Sequence, residues 1–193
     1  MPGFSPELYR WERDYFREQC VGKVCGIVLG AAEGDALERE LAALAGRLLD
    51  APAVLVHRDL QSQNVMVRAG TPFLIDFQGL RLGSPFYDLG SLLYDPYVEI
   101  GEELRAALLQ YYYDLTRPAA GWELFRELFS LAAAQRLMQA LGAYGFLGLG
   151  KGKRYFLAHI PPALDRLIAV TEEGGRLPRL HALARRCRDC IAG

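Results

Sequence analysis

Three polar side chains have the types and the spacing that phosphoryl transfer from a nucleotide requires. Asp59 and Asn64 lie five residues apart in the segment HRDLQSQN at 57–64, and Asp76 follows twelve residues later in FLIDFQG at 73–79. A protein that transfers a phosphoryl group has to orient the attacking hydroxyl and hold metal on the phosphates. A carboxylate beside the hydroxyl can accept its proton, and Asn and Asp oxygens are suitable ligands for Mg²⁺. The spacing therefore indicates that Asp59 is the base and that Asn64 and Asp76 hold the metal.

The residues between Asn64 and Asp76 predict a hairpin that would bring these two side chains together. The segments NVMV and TPFLI have the composition of strands and are joined by the short turn RAG. Because a hairpin folds the chain back on itself, we expect Asp76 beside Asn64. A lone HRD triplet is common by chance, and a lone His57 is more often packed or hydrogen-bonded than catalytic. The combination of strand, HRDxxxxN, hairpin and an apolar run ending in Asp-Phe is much more specific and favours catalysis.

These segments resemble the catalytic loop and the metal-binding loop of the protein-kinase-like superfamily. The stretch IDFQGLRLGSPFYDLGSLLYDPYV is similar to the pattern of its small-molecule branch, the aminoglycoside phosphotransferase and choline kinase family. Within that family the chain most resembles bacterial sugar kinases, which phosphorylate the anomeric hydroxyl of N-acetylmuramate or N-acetylglucosamine. The later run RLMQALGAYGFLGLGKGKRYFLAHIPPALDRL also resembles the C-terminal helices of those kinases. The resemblance covers nearly the whole chain and is most specific over residues 56–98.

The resemblance implies a donor, a cofactor and an acceptor. ATP would supply the phosphoryl group, Asp59 would be the catalytic base, and Asn64 and Asp76 would bind Mg²⁺. Met66, two residues after the Asn, would lie under the adenine ring as an apolar floor. The acceptor would be a small molecule, with an amino sugar as the first choice.

Three further residues would support the catalytic loop, and two positions depart from the protein-kinase pattern. By resemblance, His57 and Arg58 position the loop, and Asp88 hydrogen-bonds its backbone; an acid at a helix start is also stabilised by the helix dipole. Gln61 stands where many protein kinases have a Lys that contacts phosphate, which argues against a protein substrate. The sequence Phe-Gln-Gly at 77–79 replaces the usual Phe-Gly pair, which puts a protein-kinase type of activation switch in doubt.

Hydrophobic periodicity predicts two leading helices before the catalytic segment. The first covers 6–26, and the second covers 35–50 with Asp35 as its N-cap. Residues 30–34 between them are expected to form a loop, and AVLV at 53–56 is expected to be a short buried strand. The apolar stripe of the first helix is predicted to consist of Leu8, Trp11, Tyr15 and Phe16.

The chain after the hairpin is expected to be a loop followed by a helical array. The loop is DFQGLRLGSP, and helices are expected from Tyr87 onward. Pro161 and Pro162 should split or kink the fourth of these helices. The candidate helices are YDLGSLLYD, ELRAALLQYYYDL, WELFRELFSLAAAQRLMQAL, RYFLAHIPPALDRLIAV and HALARRCRDC.

The predicted fold class is α+β and mostly helical, with residues 1–193 forming one kinase-like C-terminal lobe. Its parts are leading helices at 1–52, catalytic and metal-binding loops at 53–86, and a helical substrate subdomain at 87–193. The strand-rich N-terminal lobe of such kinases, with its glycine-containing loop and strand Lys, is not recognisable. Lys23 is the only Lys before the HRD segment, and it fits a helix end better than a strand. We therefore expect a lobe that is weak or inactive alone and that pairs with an N-lobe or self-associates. A non-catalytic pseudokinase-like module and, less favoured, a protein kinase fragment are the alternatives.

Composition excludes several other classes of function. The formal net charge is −1, so nothing points to nucleic acid or to an anionic membrane surface as a partner. No apolar run is long enough to span a membrane, and no signal core is present at the start, so the cytoplasm is the expected location. The four cysteines are expected to be unrelated thiols, with a zinc site as the alternative; they are Cys20, Cys25, Cys187 and Cys190.

Two further features remain outside the catalytic segment. The run GFLGLGKG at 145–152 matches part of a phosphate-loop motif, but it lacks the following Ser or Thr and follows a predicted helix, so we interpret it as a chance match. Lys151, Lys153 and Arg154 are expected to form a solvated basic loop. Arg136, in the middle of a predicted helix, could reach the acceptor site or lie on the surface, and the sequence favours neither.

Overall fold

A computed structural model of the chain describes residues 2–174 and 176–192. These residues form seven α-helices and two small antiparallel sheets, so the α+β and mostly helical class is confirmed. None of the helices in this part of the chain is long and apolar enough to cross a membrane. The helices are α1 (Pro6–Tyr15), α2 (Ala31–Leu49), α3 (Pro85–Leu93), α4 (Glu102–Thr116), α5 (Trp122–Gly145), α6 (Ile160–Gly174) and α7 (Pro178–Ala192).

The first helix begins where the sequence indicates, but it buries a different face from the predicted one. Ser5 caps it by accepting a hydrogen bond from the Leu8 backbone N–H at 3.2 Å, and a π-helical segment, Phe16–Val24, continues it. Trp11, predicted to be buried, is 53 % exposed. Phe16 of the predicted stripe is buried, so the prediction is wrong at Trp11 and not for the whole stripe. The buried face is shifted because charged side chains with partners occupy part of it. That face consists of Tyr9, Glu12, Arg13 and Phe16.

The second helix starts four residues earlier than predicted. Residues 30–34 are not a loop, and Asp35 is not the N-cap. Gly30 is the N-cap in an extended conformation, and its carbonyl accepts the first helical hydrogen bond from Gly34 at 2.8 Å. Ala31, Ala32 and Glu33 are good helix formers, which favours the earlier start despite Gly34.

The strands pair into two separate sheets of two strands each. The hairpin of β2 (Val65–Arg68) and β3 (Thr71–Leu74) is confirmed, with two left-handed residues in its turn, as a type I′ turn requires. The predicted loop DFQGLRLGSP is partly wrong, since it contains β4 (Arg81–Gly83). This strand pairs with β1 (Val54–Val56). Only one residue of β1 is buried, contrary to the predicted buried strand, because the two-stranded sheet leaves much of its surface uncovered.

Helix α5 forms the centre of the core. It is buried almost continuously from Leu131 to Leu141, as expected for a helix that is surrounded by others. It packs against α1, the π-helical segment, α3 and α6. Small residues allow close approach: a Cβ added at Gly90 of α3 would lie 2.7 Å from the Cα of Ala133 on α5. This contact fixes α3, and therefore Asp88, relative to the core.

In the C-terminal part of the chain, the predicted fourth helix is split near the two prolines, as expected. A 3₁₀ segment, Arg154–His159, precedes α6, whose first turn contains Pro161 and Pro162. Prolines are tolerated there because the first-turn N–H groups have no intrahelical acceptor. The start of α7 is tied to α2 through Glu40, whose carboxylate accepts hydrogen bonds from two backbone N–H groups of α7 at 3.1 and 2.9 Å.

Three of the four thiols lie near one another. The neighbouring thiols of Cys187 and Cys20 lower the pKa of Cys25, and all four cysteines are free. The expectation of four unrelated thiols is therefore wrong for these three, because the end of the π-helical segment meets α7. Across the described part of the chain, no group of three or more His, Cys, Asp or Glu side chains is arranged to hold a metal ion.

Candidate active site

The Asp88 carboxylate holds the first part of the segment at 57–64, which we call the catalytic loop after its predicted role. Its two oxygens accept the backbone N–H groups of His57 at 2.5 Å and of Arg58 at 2.9 Å. Burial raises the pKa of Asp88, and these two hydrogen bonds oppose that rise. Arg58 has a positive φ of 71°, which is uncommon for a residue other than glycine and is found where surrounding contacts enforce it.

A second acid, which the sequence analysis did not single out, holds the far end of the same loop. Asp95, buried at 1 % exposure, accepts the Ser62 backbone N–H at 2.6 Å and the Tyr97 backbone N–H at 2.8 Å. Asp95 lies two residues beyond the end of α3, the helix that carries Asp88. The acid repeated after a tyrosine in YDLGSLLYD was the available signal.

Within the loop, Asn64 is bonded directly to Asp59. Its side-chain nitrogen donates to the Asp59 carbonyl at 2.9 Å and to Asp59 Oδ2 at 3.1 Å. Gln61 donates to the same carboxylate oxygen at 3.3 Å. Because the amide nitrogen of Asn64 is occupied in this way, its Oδ1 is the atom left to face a ligand.

The hairpin returns the chain to Asn64 as predicted. The Ile75 N–H donates to the Asn64 carbonyl at 3.0 Å, and the Ile75 carbonyl lies 2.9 Å from His57 Nε2. Asp76 follows in the left-handed region, with φ 61°. Among residues 2–174 and 176–192, no side chain forms an ion pair or hydrogen bond with the Asp76 carboxylate. Asn64 Oδ1 and the Asp76 carboxylate are hard oxygens that face one pocket, so this donor pair fits a magnesium ion whose other ligands come from phosphate and water.

Arg136 lines the same pocket as Asp59, so the alternative of a surface position is wrong. Its guanidinium, 8 % exposed, donates from Nη2 to Asp59 Oδ1 at 2.7 Å. Its Nε donates to Ser91 Oγ at 3.1 Å, and its Nη1 donates to Gln139 Oε1 at 2.5 Å. Burial acts to lower the pKa of Arg136, but the surrounding acidic groups outweigh it and the pKa is raised. The arginine is therefore a fixed positive charge that orients the Asp59 carboxylate.

These residues surround a pocket of about 570 Å³. Asp59, Asn64 and Asp76 line it, together with His57 and Arg58 of the catalytic loop. Its wall also contains aromatic rings and amide side chains, namely Tyr87, Tyr97, Tyr144, Phe156, Gln61, Gln63, Gln78 and Gln139.

Met66 lies outside this pocket, on an apolar surface formed by the strands. It is 55 % exposed, and the next residue, Val67, is 68 % exposed. Since successive residues of a strand point to opposite faces, both faces of the hairpin are open. We call the exposed apolar residues of β1 to β4 and the adjoining segment the hairpin surface. They are Val54, Leu55, Met66, Val67, Phe73, Leu74, Ile75, Phe77 and Leu82.

Neither Lys151 nor Lys23, the lysines of the two other candidate segments, lines the pocket, although Leu147 of the GFLGLGKG segment does. The GFLGLGKG segment forms the end of α5 and a π-helical continuation, Phe146–Gly150, so the match to a phosphate loop is coincidental. Lys151, Lys153 and Arg154 are exposed, as expected of a solvated loop. Lys23 lies in the π-helical segment and pairs with Glu18 at 2.8 Å, which confirms the helical interpretation.

The chain belongs to the phosphotransferase enzyme family, whose model matches residues 3–128. It is 30 % identical over 188 residues to an N-acetylmuramate/N-acetylglucosamine kinase of Neisseria meningitidis serogroup B, covering 95 % of this chain and 56 % of that protein. It is 28 % identical over 199 residues to a kinase of the same name from Pseudomonas putida, covering 100 % of this chain and 58 % of that protein. The chain thus spans just over half the length of these curated relatives.

A solved structure supports the same fold. The chain is similar, with a TM-score of 0.61 and 18 % identity, to a choline/ethanolamine kinase family protein from Mesorhizobium loti. The match covers 96 % of this chain and 59 % of that one. The expected membership of the phosphotransferase family is confirmed, and the fold is of the protein-kinase-like type.

Proposed function

We propose that this chain is the part of a small-molecule kinase that transfers the γ-phosphoryl group of ATP to a hydroxyl of an amino sugar. One observation carries the proposal: the Asp59 carboxylate is oriented by Arg136 and Asn64 in the wall of a pocket that also presents the oxygens of Asn64 and Asp76. Membership of the phosphotransferase family and the similarity to two N-acetylmuramate/N-acetylglucosamine kinases support it.

Asp59 accepts the proton of the attacking hydroxyl. Its side chain is 44 % exposed, so an acceptor can reach it from the pocket. Hydrogen bonds to both carboxylate oxygens, from Arg136 on one and from Asn64 and Gln61 on the other, fix its direction. Such positioning is the main contribution that a protein makes to phosphoryl transfer.

Mg-ATP, when bound, supplies the phosphoryl group together with a cation that neutralises charge on the phosphates. Asn64 and Asp76 are the residues that hold the cation in this proposal. Met66 provides an apolar contact for the adenine ring. The cytoplasm, where ATP and Mg²⁺ are available, is the proposed compartment.

The composition of the pocket wall favours an N-acetylated sugar over a polycationic acceptor. The two acids Asp59 and Asp76 are balanced by two bases, Arg58 and Arg136, so the pocket has no excess of negative charge. Aromatic side chains offer apolar faces to a sugar ring, and amides can both donate to and accept from hydroxyl and acetamido groups. A choline or aminoglycoside cation would need a more acidic wall.

We further propose that a nucleotide-covering lobe packs on the hairpin surface. This surface exposes large apolar residues such as Phe73 and Phe77, at 52 % and 57 %, beside the residues assigned to Mg-ATP. The relatives are nearly twice as long as the matched region, which leaves room for such a lobe. Without it, nucleotide affinity and charge stabilisation in the transition state both fall, and the chain alone is weak or inactive. Self-association through the same surface is the competing outcome.

The proposal is tested by incubating the chain with Mg²⁺ and γ-labelled ATP over amino sugars, aminoglycosides and choline. Each reaction is repeated with an added small lobe taken from a longer relative and with Asp59→Asn as the control. Label on an N-acetylated sugar that is lost in the variant supports the proposal. Transfer only with the added lobe supports the need for that lobe. No transfer under either condition overturns the kinase assignment.

A further inference from the structure

Glu12 is a fully buried acid that contacts the catalytic segment from the first helix. It has 0 % exposure and lies on the core-facing side of α1. Tyr87 donates to its Oε1 at 3.0 Å, and Gln135 donates to its Oε2 at 2.9 Å. A buried carboxylate is costly unless its charge has a partner. Here the charged partner is Arg58, whose Nη2 lies 3.7 Å from Glu12 Oε1.

Arg58 directly precedes Asp59 and is held at both of its ends. Its backbone N–H donates to Asp88, and its guanidinium lies 5.6 Å from the centre of the Phe4 ring. Its side chain is 23 % exposed, and within the described residues Glu12 is the acid with which it forms an ion pair. Since the backbone of Arg58 has a positive φ, its side-chain and backbone contacts together have to maintain that conformation.

We propose that Glu12 is a positioning residue for phosphoryl transfer, whose charge holds the Arg58 side chain and thereby fixes the backbone that carries Asp59. This inference rests on the proposed function and adds a residue to it from outside the catalytic motif. Glu12 does not touch the pocket, so it acts through Arg58 and not on the substrate.

A change of Glu12 to Gln separates this role from a purely structural one. The amide keeps the size of the side chain, and Gln135 Oε1, which is buried without a partner, can accept the new N–H after a flip of the Gln135 amide. The flip keeps the hydrogen bond between residues 12 and 135 and moves the Gln135 amide nitrogen to the position that has no partner in wild type. The main change is therefore the loss of the charge opposite Arg58. Burial raises the pKa of Glu12, so the fold disfavours its charged form, and loss of that charge offsets part of the cost of leaving Arg58, 23 % exposed, without its partner.

The experiment compares wild type, Glu12→Gln and Asp14→Asn by thermal unfolding and by amide hydrogen exchange of the peptide covering 56–64. Asp14 is the matched control, since it lies on the same helix with its side chain 56 % exposed. We expect Glu12→Gln to remain folded at a modestly lower unfolding temperature, and its loop amides to exchange about tenfold faster than those of wild type. Asp14→Asn should match wild type in both measurements.

Arg58→Met and the double variant Glu12→Gln/Arg58→Met test the route. If Glu12 acts through Arg58, the double variant exchanges its loop amides no faster than Arg58→Met alone. If the effects of the two substitutions on loop exchange add, Glu12 does not act through Arg58. Unchanged loop exchange in Glu12→Gln overturns the positioning role. Failure of Glu12→Gln to fold also overturns it, because Glu12 is then required for the structure as a whole. Absence of phosphoryl transfer in wild type counts against the proposed function, while the exchange data still decide this inference.

Discussion

Arg136 on α5 and Asp59 in the catalytic loop are joined at 2.7 Å across 77 residues of sequence. The arginine side chain is 8 % exposed and the aspartate side chain is 44 % exposed. The carboxylate is therefore anchored from the core on one side and open to the pocket on the other. Because Arg136 is also bonded to Ser91 and Gln139, its own position is fixed before any ligand arrives.

Replacement of Arg136 by Lys should reduce phosphoryl transfer while leaving nucleotide binding intact. A lysine keeps the positive charge, but one ammonium group cannot reach Asp59, Ser91 and Gln139 with the geometry of a guanidinium. We expect kcat to fall by about 10- to 100-fold, with KM for ATP unchanged. Steady-state kinetics measure both values, with the acceptor identified by the labelled-ATP assay and with the added lobe where that assay requires it. Arg126→Lys, on an exposed position of the same helix, is the control, and an equal kcat in both variants would contradict the assigned role.

Asp59→Asn and Asp76→Asn should lose different steps of the reaction: the first should lose phosphoryl transfer, and the second should lose binding of Mg-ATP. Asp76 is assigned to the cation, so its replacement should abolish the rise in unfolding temperature that Mg-ATP causes in wild type. Asp59 is assigned to the hydroxyl, so its replacement should keep that rise and lose transfer. Thermal unfolding with and without Mg²⁺, at a fixed ATP concentration, distinguishes the two. Loss of the Mg²⁺-dependent rise in both variants would mean that the two carboxylates share one role.

Local sequence patterns predicted those parts of the molecule that local interactions determine. The β2–β3 hairpin and the helix break at Pro161 follow from residues close in sequence. The approach of Asp76 to Asn64 follows from the hairpin, so the spacing alone was sufficient to predict it. The start of α2 was missed because a glycine can cap a helix without any side-chain signal.

The remaining parts depend on partners that are distant in sequence. Glu12 and Arg136 are charged residues whose burial is possible only because Tyr87, Gln135 and Asp59 approach from other elements. A hydrophobic pattern assigns such residues to the surface, which is why the stripe of α1 was misplaced toward Trp11. Glu12 and Arg136 are also the buried charged residues that contact the catalytic loop, Glu12 at Arg58 and Arg136 at Asp59.

The stability difference between Glu12→Gln and wild type should depend on pH. Burial raises the pKa of Glu12 above its ordinary value, opposed by hydrogen bonds from Gln135 and Tyr87 and by the charges of Arg58 and Arg136. The folded wild type therefore binds more protons than the unfolded chain, and its free energy of unfolding falls as pH rises through the folded pKa. The stability of the variant relative to wild type should therefore increase as pH rises above the ordinary pKa of a Glu carboxyl and through the raised folded pKa, as measured by urea unfolding. A constant difference would mean that the Glu12 carboxyl does not change its protonation state over this range.

The contact between α3 and α5 at Gly90 should tolerate no larger side chain. A Cβ at this position would lie 2.7 Å from Ala133 Cα and 3.0 Å from Ala133 N, and backbone atoms cannot move aside as a flexible side chain can. We expect Gly90→Ala to lower the free energy of unfolding by about 1–3 kcal/mol and to speed exchange of the loop amides held by Asp88, which lies on the same helix. Gly46→Ala in α2 is the control, since a Cβ there meets nothing within 4 Å and should stabilise the fold by about 0.5–1 kcal/mol. Urea unfolding gives both values. Equal stability of the two variants would show that α3 can shift away from α5, and the loop that Asp88 holds would then be less rigidly tied to the core than these distances imply.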